Sequence, residues 1–174
     1  MSRDGTRRRL LDAAAAVVHR DGPRALTLDT VAAQAGLSKG GLLYHFATKD
    51  ALVEALVEDW LDRFEAAVVK GTAERTWALA YARVCAQPRS AAERATDVAL
   101  LVAMAGDPGG LEAVRRRYAT WQDRLVADAP DAADATLVRL AADGLWFADL
   151  LGLAPPTGQL RQAVTARLEE LGGR

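Results

Sequence analysis

Ser38, Lys39, Gly40 and Gly41 stand together just ahead of Tyr44 and His45, and Lys49 follows shortly after. The chain has only three lysines, and two of them bracket this segment. A long cation beside two residues without side-chain bulk suits close approach to a polyanion. The ammonium can reach a phosphate or the acceptor edge of a guanine, and the glycines let the backbone come near. Material for catalysis is much poorer. The two histidines, His19 and His45, are far in sequence from the single cysteine, Cys85. No pair of histidines stands at metal-ligand spacing beside an acid, and no glycine-rich phosphate loop follows a strand. The expectation is no catalytic residue, no metal and no cofactor: a binding protein rather than an enzyme.

Such a cluster must be held on rigid elements. Leu10, Leu11, Ala14, Val17 and Val18 recur at helical spacing and predict a first helix over Thr6 to Arg20, stopped by Asp21-Gly22-Pro23. Thr27 can cap a second, short helix that buries Leu28, Val31, Ala32 and Ala35 and ends at Gly36. Ser38 can cap a third from Lys39 to about His45, with Leu42 and Phe46 facing inward and Leu37 beneath. Two short helices joined by a tight turn containing Gly form the helix-turn-helix pattern, whose second helix protrudes far enough to enter a major groove about 12 Å wide. Thr48 then caps a fourth helix. Its apolar residues, from Leu52 to Phe64, run without a breaker to Lys70-Gly71, and at roughly 30 Å it can connect a head to a body.

Composition agrees. The chain holds 37 Ala and 24 Leu against 14 Val and no Ile, which favours helices over strands, so an all-α fold is expected. With 174 residues, 51% hydrophobic and 26% charged, it can bury a core and has no signature of disorder. One cysteine excludes an internal disulfide, as a reducing cytoplasm permits. The longest uncharged run, Leu150 to Leu160, is too short for a membrane span and contains Pro155 and Pro156. Arg7, Arg8 and Arg9 ahead of Leu10 to Val18 imitate a secretion signal, but Asp12 interrupts the run and no small-residue cleavage site precedes His19. The expected location is the cytoplasm, with no membrane partner. The net charge of −1 hides an asymmetry: residues 1–50 hold 8 basic against 5 acidic side chains, and residues 51–174 hold 14 against 18.

Further helices are expected around Trp77 to Cys85, around Val98 to Ala105 with a break at Asp107-Pro108-Gly109-Gly110, and from Leu111 to Leu125. Asp131 can cap a helix whose Leu137, Leu140, Ala141, Gly144, Ala148 and Leu151 share an apolar face. Leu160, Val164, Leu168 and Leu171 form a seam on a last helix. This final pair either packs within one chain or builds a four-helix interface with a second copy. Trp60, Phe64, Trp77, Tyr81, Met104, Tyr118, Trp121, Trp146 and Phe147 are candidates to line a ligand cavity, with core packing as the alternative for each. Asp143 and Asp149 read as surface or interface-edge carboxylates rather than as a ligand's anchor.

The run Leu26 to Leu52, above all Gly36-Leu37-Ser38-Lys39-Gly40-Gly41-Leu42-Leu43-Tyr44-His45-Phe46-Ala47-Thr48-Lys49-Asp50-Ala51-Leu52, resembles the DNA-binding head of the TetR family of bacterial transcriptional repressors. The stretch Asp143 to Leu153 is similar to one found in a subgroup of that family. The resemblance implies a homodimer whose two third helices enter successive major grooves of a palindromic operator on double-stranded DNA. It also implies a small-molecule effector in the body that releases the DNA. By position, Ser38, Lys39, Gly41, Tyr44, His45 and Lys49 would contact DNA, mostly at phosphates; Gly40, Leu43 and Thr27 are counted with them. Gly41 stands where many members have Thr and Leu43 where many have Tyr, so hydrogen-bond readout is thinner here and Leu43 is left to touch a thymine methyl. Arg7, Arg8 and Arg9 are either a solvated helix start or an arm touching phosphate or the minor groove. The implied division is a DNA-binding domain over 1–50 and an effector-binding and dimerisation domain over 51–174, with the connecting helix at about 48–70. A ligand-responsive repressor is the expected function; an activator, or a regulator without an effector, is the alternative.

Overall fold

The computed structural model describes residues 3–72, 76–105 and 108–173, without the side chains of Ala92, Ala95, Ala99, residues 103–105 and Pro108. Among these residues the chain is helical and has no strand. The helices are α1 (Arg3–Asp21), α2 (Leu28–Ala35), α3 (Lys39–Leu43), α4 (Lys49–Gly71), α5 (Trp77–Ala86), α6 (Ala91–Ala105), α7 (Pro108–Asp128), α8 (Ala132–Leu151) and α9 (Gly158–Gly172), with a 3-10 turn at Pro23–Ala25. The chain forms two units, Met1–Leu61 with Arg89–Arg115 and Asp62–Pro88 with Arg116–Arg174.

In the first unit α1 packs against α2 and α6, and α2 against α3. Leu10, Ala14, Val17, Val31, Leu42, Leu52 and Val57 are fully shielded from solvent. The turn between α2 and α3 depends on Gly36, which ends α2 at φ 62°, in the left-handed region. A Cβ there would meet the Arg9 Nη2 at 2.9 Å, which that flexible side chain can relieve by moving, so it is the left-handed conformation that demands glycine. Leu28 and Leu37, expected inside, are only half-buried. With five residues, α3 cannot sustain itself as an isolated helix; Leu42 and Phe46 beneath it hold it in place. Leu42→Ala is therefore expected to cost about 2–5 kcal/mol in a denaturant titration. A loss under about 1 kcal/mol would show that α3 is anchored by something else.

In the second unit α5 packs against α8 and α9, and α8 against α9. The buried face of α8 consists of Ala135, Val138, Ala142, Leu145, Trp146 and Leu150. The face read as apolar from the sequence is a different one: Leu137, Leu140, Ala141, Gly144 and Leu151 are exposed and Ala148 is half-buried, and Leu160 on α9 is exposed as well.

Several boundaries differ from expectation: α3 ends at Leu43 and not at about His45, and α6 starts at Ala91, ahead of Val98. The expected break falls between α6, which ends at Ala105, and α7, but Pro108 opens α7, because proline lacks the N–H that a helix's first turn cannot use, so Gly109 and Gly110 are helical. Helix α1 starts earlier, at Arg3, so Arg7, Arg8 and Arg9 are helical residues and not an arm.

Candidate nucleic-acid interface and body cluster

Helix caps place the basic segment. The Thr27 hydroxyl accepts from the Thr30 N–H at 3.1 Å while the Thr30 hydroxyl accepts from the Thr27 N–H at 3.0 Å, a reciprocal cap that starts α2. The Ser38 hydroxyl accepts from the Gly41 N–H at 3.1 Å and starts α3, and the Thr48 hydroxyl accepts from the Ala51 N–H at 3.1 Å and starts α4. Each capping hydroxyl accepts at its oxygen, so the hydroxyls of Ser38 and Thr48 each retain a proton as a donor.

The structure brings the candidate DNA contacts together in the first unit. Thr27, Ser38, Lys39, Gly40, Leu43, Tyr44 and Lys49 are exposed, and Gly41 and His45 half-buried. Tyr44 does not pack beneath the helix: it is 69% exposed, meets the His45 ring edge-on at 5.2 Å, and has the Arg3 guanidinium over its face at 5.4 Å. Arg7 lies over the Phe46 ring at 5.5 Å, and Arg8 pairs with Asp12 and Asp59 at 3.0 and 2.7 Å. Two participants escaped the sequence reading. One is Arg3, and the other is Asp29, whose carboxylate holds the Lys39 Nζ at 3.0 Å.

The candidate ligand-lining residues fall into separate groups. Trp60 belongs to the first unit, where its indole N–H donates to Asp97 at 3.0 Å. Asp97 is only 2% exposed and also accepts from the Arg89 Nη2 at 3.2 Å, with the Arg89 Nε in close charge contact with its other oxygen at 2.6 Å. Burial lifts the Asp97 carboxyl above its ordinary range despite Arg89 and Trp60. The side chain of Met104 lies outside the described residues. Trp146 and Phe147 stack edge-on against each other at 4.9 Å.

The other five rings form one cluster in the second unit. Trp121 lies 4.9 Å from Phe64, 5.1 Å from Tyr118, 6.1 Å from Tyr81 and 6.3 Å from Trp77. At its edge the Tyr81 hydroxyl donates to Asp143 at 2.5 Å, Arg139 pairs with the other oxygen of Asp143 at 3.1 Å, and the Arg139 Nε donates to Gln122 at 2.5 Å. Asp143 is thus not a surface carboxylate. Burial raises its carboxyl above the ordinary range against the pull of Tyr81 and Arg139, and burial likewise raises the phenols of Tyr81 and Tyr118. Asp149 is a structural partner, gripped by both terminal nitrogens of Arg161 at 2.7 and 2.8 Å. A separate pocket of about 170 Å³, lined by Thr76, Ala78, Asp131, Asp134, Leu171 and others, contains none of the candidate ligand-lining residues. Nothing in those small and acidic residue types marked it.

Beneath the rings, Glu65 receives Arg117 at 2.6 Å, the Trp121 indole N–H at 3.3 Å, and Arg124. Burial alone would raise this carboxyl, but the three donors hold it below its ordinary 4.5. Its stabilising contribution is therefore present above that value and lost as pH falls through the lowered one. Wild type should exceed Glu65→Gln by about 1–3 kcal/mol at neutral pH. The gap should close in urea titrations below about pH 4.5, and a gap that widened in acid would reverse the assignment.

Among the described residues no helix is long and apolar enough to cross a membrane, and no group of His, Cys, Asp and Glu could hold a metal. Comparison with curated proteins finds no match. Family models match twice: residues 10–56 fit the bacterial regulatory proteins of the tetR family, and residues 75–172 fit the tetracyclin repressor-like C-terminal domain. Among solved structures, a transcriptional regulator from Rhodococcus sp. Rha1 shares the fold at 23% identity and TM-score 0.74, over 95% of both chains. A TetR-family member from Streptomyces coelicolor A3 is 27% identical, with TM-score 0.72, over 95% of this chain and 97% of that one. The multidrug binding protein EbrR, in complex with ethidium, is 26% identical, with TM-score 0.74, over 95% and 98%. Both ends of the chain and its helical layout lead to one conclusion: it belongs to the TetR family of bacterial regulatory proteins, as a DNA-binding regulator and not an enzyme.

Proposed function

We propose that the chain is a cytoplasmic, dimeric repressor that binds a palindromic operator through α3 of each copy and is released by a small molecule bound in its body. The observation that carries this reading is the first turn of α3, where Lys39 and Gly40 stand exposed on a helix whose Leu42 is fully buried. That turn would enter the groove, with Ser38, Gly41, Leu43, Tyr44, His45, Lys49 and Thr27 as its neighbours at base edge and phosphate. Two such heads would stand about 34–36 Å apart, one helical turn of DNA.

Dimerisation is supported by the exposed stripe on α8, whose small residues Ala141 and Gly144 let a second copy's helix come close between Leu137, Leu140 and Leu151. An effector is supported by EbrR, which binds ethidium, malachite green and imidazole. The rings Phe64, Trp77, Tyr81, Tyr118 and Trp121 are its first candidate walls, with Trp60, Met104, Trp146 and Phe147 after them. A ligand that favours one tilt of α4 over another would change head spacing, and only by its differential affinity for the two states. The full burial of Tyr81 and Trp121 favours a second reading, a regulator without an effector.

Selection from a random duplex library at fixed salt tests the first part, and enrichment of a palindrome with half-sites one turn apart is the expected outcome. Tryptophan quenching by ethidium without DNA, followed by release of the selected duplex, tests the second. Enrichment without quenching or release by any of a panel of small molecules would leave the regulator without an effector.

A further inference from the structure

Lys39 does not stand free. Its Nζ is 3.0 Å from both oxygens of Asp29, across the turn between α2 and α3. The two side chains are 58% and 68% exposed, so the pair faces solvent on the surface that also carries Ser38, Gly40 and Tyr44. Asp29 further occupies the first turn of α2, whose N-terminus would otherwise offer partial positive charge. One carboxylate thus offsets two features that attract phosphate, a lysine and a helix end.

We infer that Asp29 is an intramolecular competitor for DNA phosphate at Lys39, a brake on DNA affinity built into the helix-turn-helix. The inference rests on the reading of α3 as the helix that meets DNA. To touch a phosphate, Lys39 must either leave Asp29 or bring that carboxylate close to another anion, and both routes subtract from the attraction. Because an exposed ion pair is weak, the brake lowers affinity without blocking it. Its effect falls on every duplex alike and holds down occupancy of nonspecific DNA, which phosphate attraction alone supplies. Two copies in a dimer apply it twice.

The test measures binding of wild type, Asp29→Asn, Lys39→Ala and the double variant to a labelled random-sequence duplex across a salt series. Asparagine keeps the shape and removes the charge, and circular dichroism checks that each variant folds. Asp29→Asn is expected to bind about 3- to 10-fold more tightly at about 0.1 M salt, with a steeper salt dependence. In the Lys39→Ala background its gain is expected to shrink to less than about twofold, since only the weaker pull of the α2 N-terminus is then left for the carboxylate to offset. Unchanged affinity in Asp29→Asn, with wild type binding normally, would overturn the brake alone. An equal gain in both backgrounds would also overturn it, by making Asp29 a general charge effect. Absence of binding by every variant even at low salt would overturn the DNA-binding role of α3 and the brake with it.

Discussion

Replacing Lys39 and Lys49 together by alanine is expected to weaken binding to the selected operator by about 10²- to 10³-fold at physiological salt. The fold should be untouched. A dimer loses four cations, and each phosphate contact contributes about 0.9 to the slope of log affinity against log salt, so the slope should fall by up to about 3.6. The lower end of the range applies if Asp29 already offsets part of Lys39's attraction. Both lysines are exposed, and surface substitutions of this kind stay within about 0.5 kcal/mol of wild-type stability. Loss of affinity can then be read as loss of phosphate contact and not of structure. Gel shift or fluorescence anisotropy at several salt concentrations supplies both numbers. An unchanged slope would mean that neither lysine reaches a phosphate, and another surface of the protein would have to carry the DNA.

The head could be read because its rules are local. Gly36 at φ 62°, Ser38 on the Gly41 N–H and Thr48 on the Ala51 N–H each involve residues within a few positions of one another, and each residue type has one main reason to stand there. Helix periods placed Leu42, Leu52 and Val57 inside for the same reason. What escaped depends on residues brought together by folding. The Asp29–Lys39 pair joins two helices, and Asp97 meets Trp60 across 37 positions. The sequence reads Asp143 as a surface or interface-edge carboxylate because its helix neighbours do not reveal Tyr81, which is 62 positions away. The apolar face of α8 illustrates the other limit. A hydrophobic stripe announces that something should cover it, and only packing tells which of two apolar faces, that of Val138 and Leu145 or that of Leu137 and Leu140, is covered within the chain.

Trp121→Ala is expected to lower stability by about 3–5 kcal/mol, the largest loss for any single residue of the second unit. Trp121 is 1% exposed, at the centre of the rings of Phe64, Trp77, Tyr81 and Tyr118, and its indole N–H is one of the donors to Glu65. Truncation removes that packing and one donor together, whereas Trp121→Phe keeps a ring and should cost about half as much. Thermal unfolding followed by far-ultraviolet circular dichroism measures both. The comparison bears on function as well as stability. A tightly filled core gives the full loss, and in that case an effector can enter among the rings only by displacing them. A loss under about 1 kcal/mol for Trp121→Ala would mean that the indole already borders empty space, since a side chain with few partners leaves little behind when it goes. The same variant titrated with ethidium then separates the cases. Tighter binding to Trp121→Ala than to wild type would show that the indole occupies the space the ligand needs, and weaker binding that it forms part of the wall.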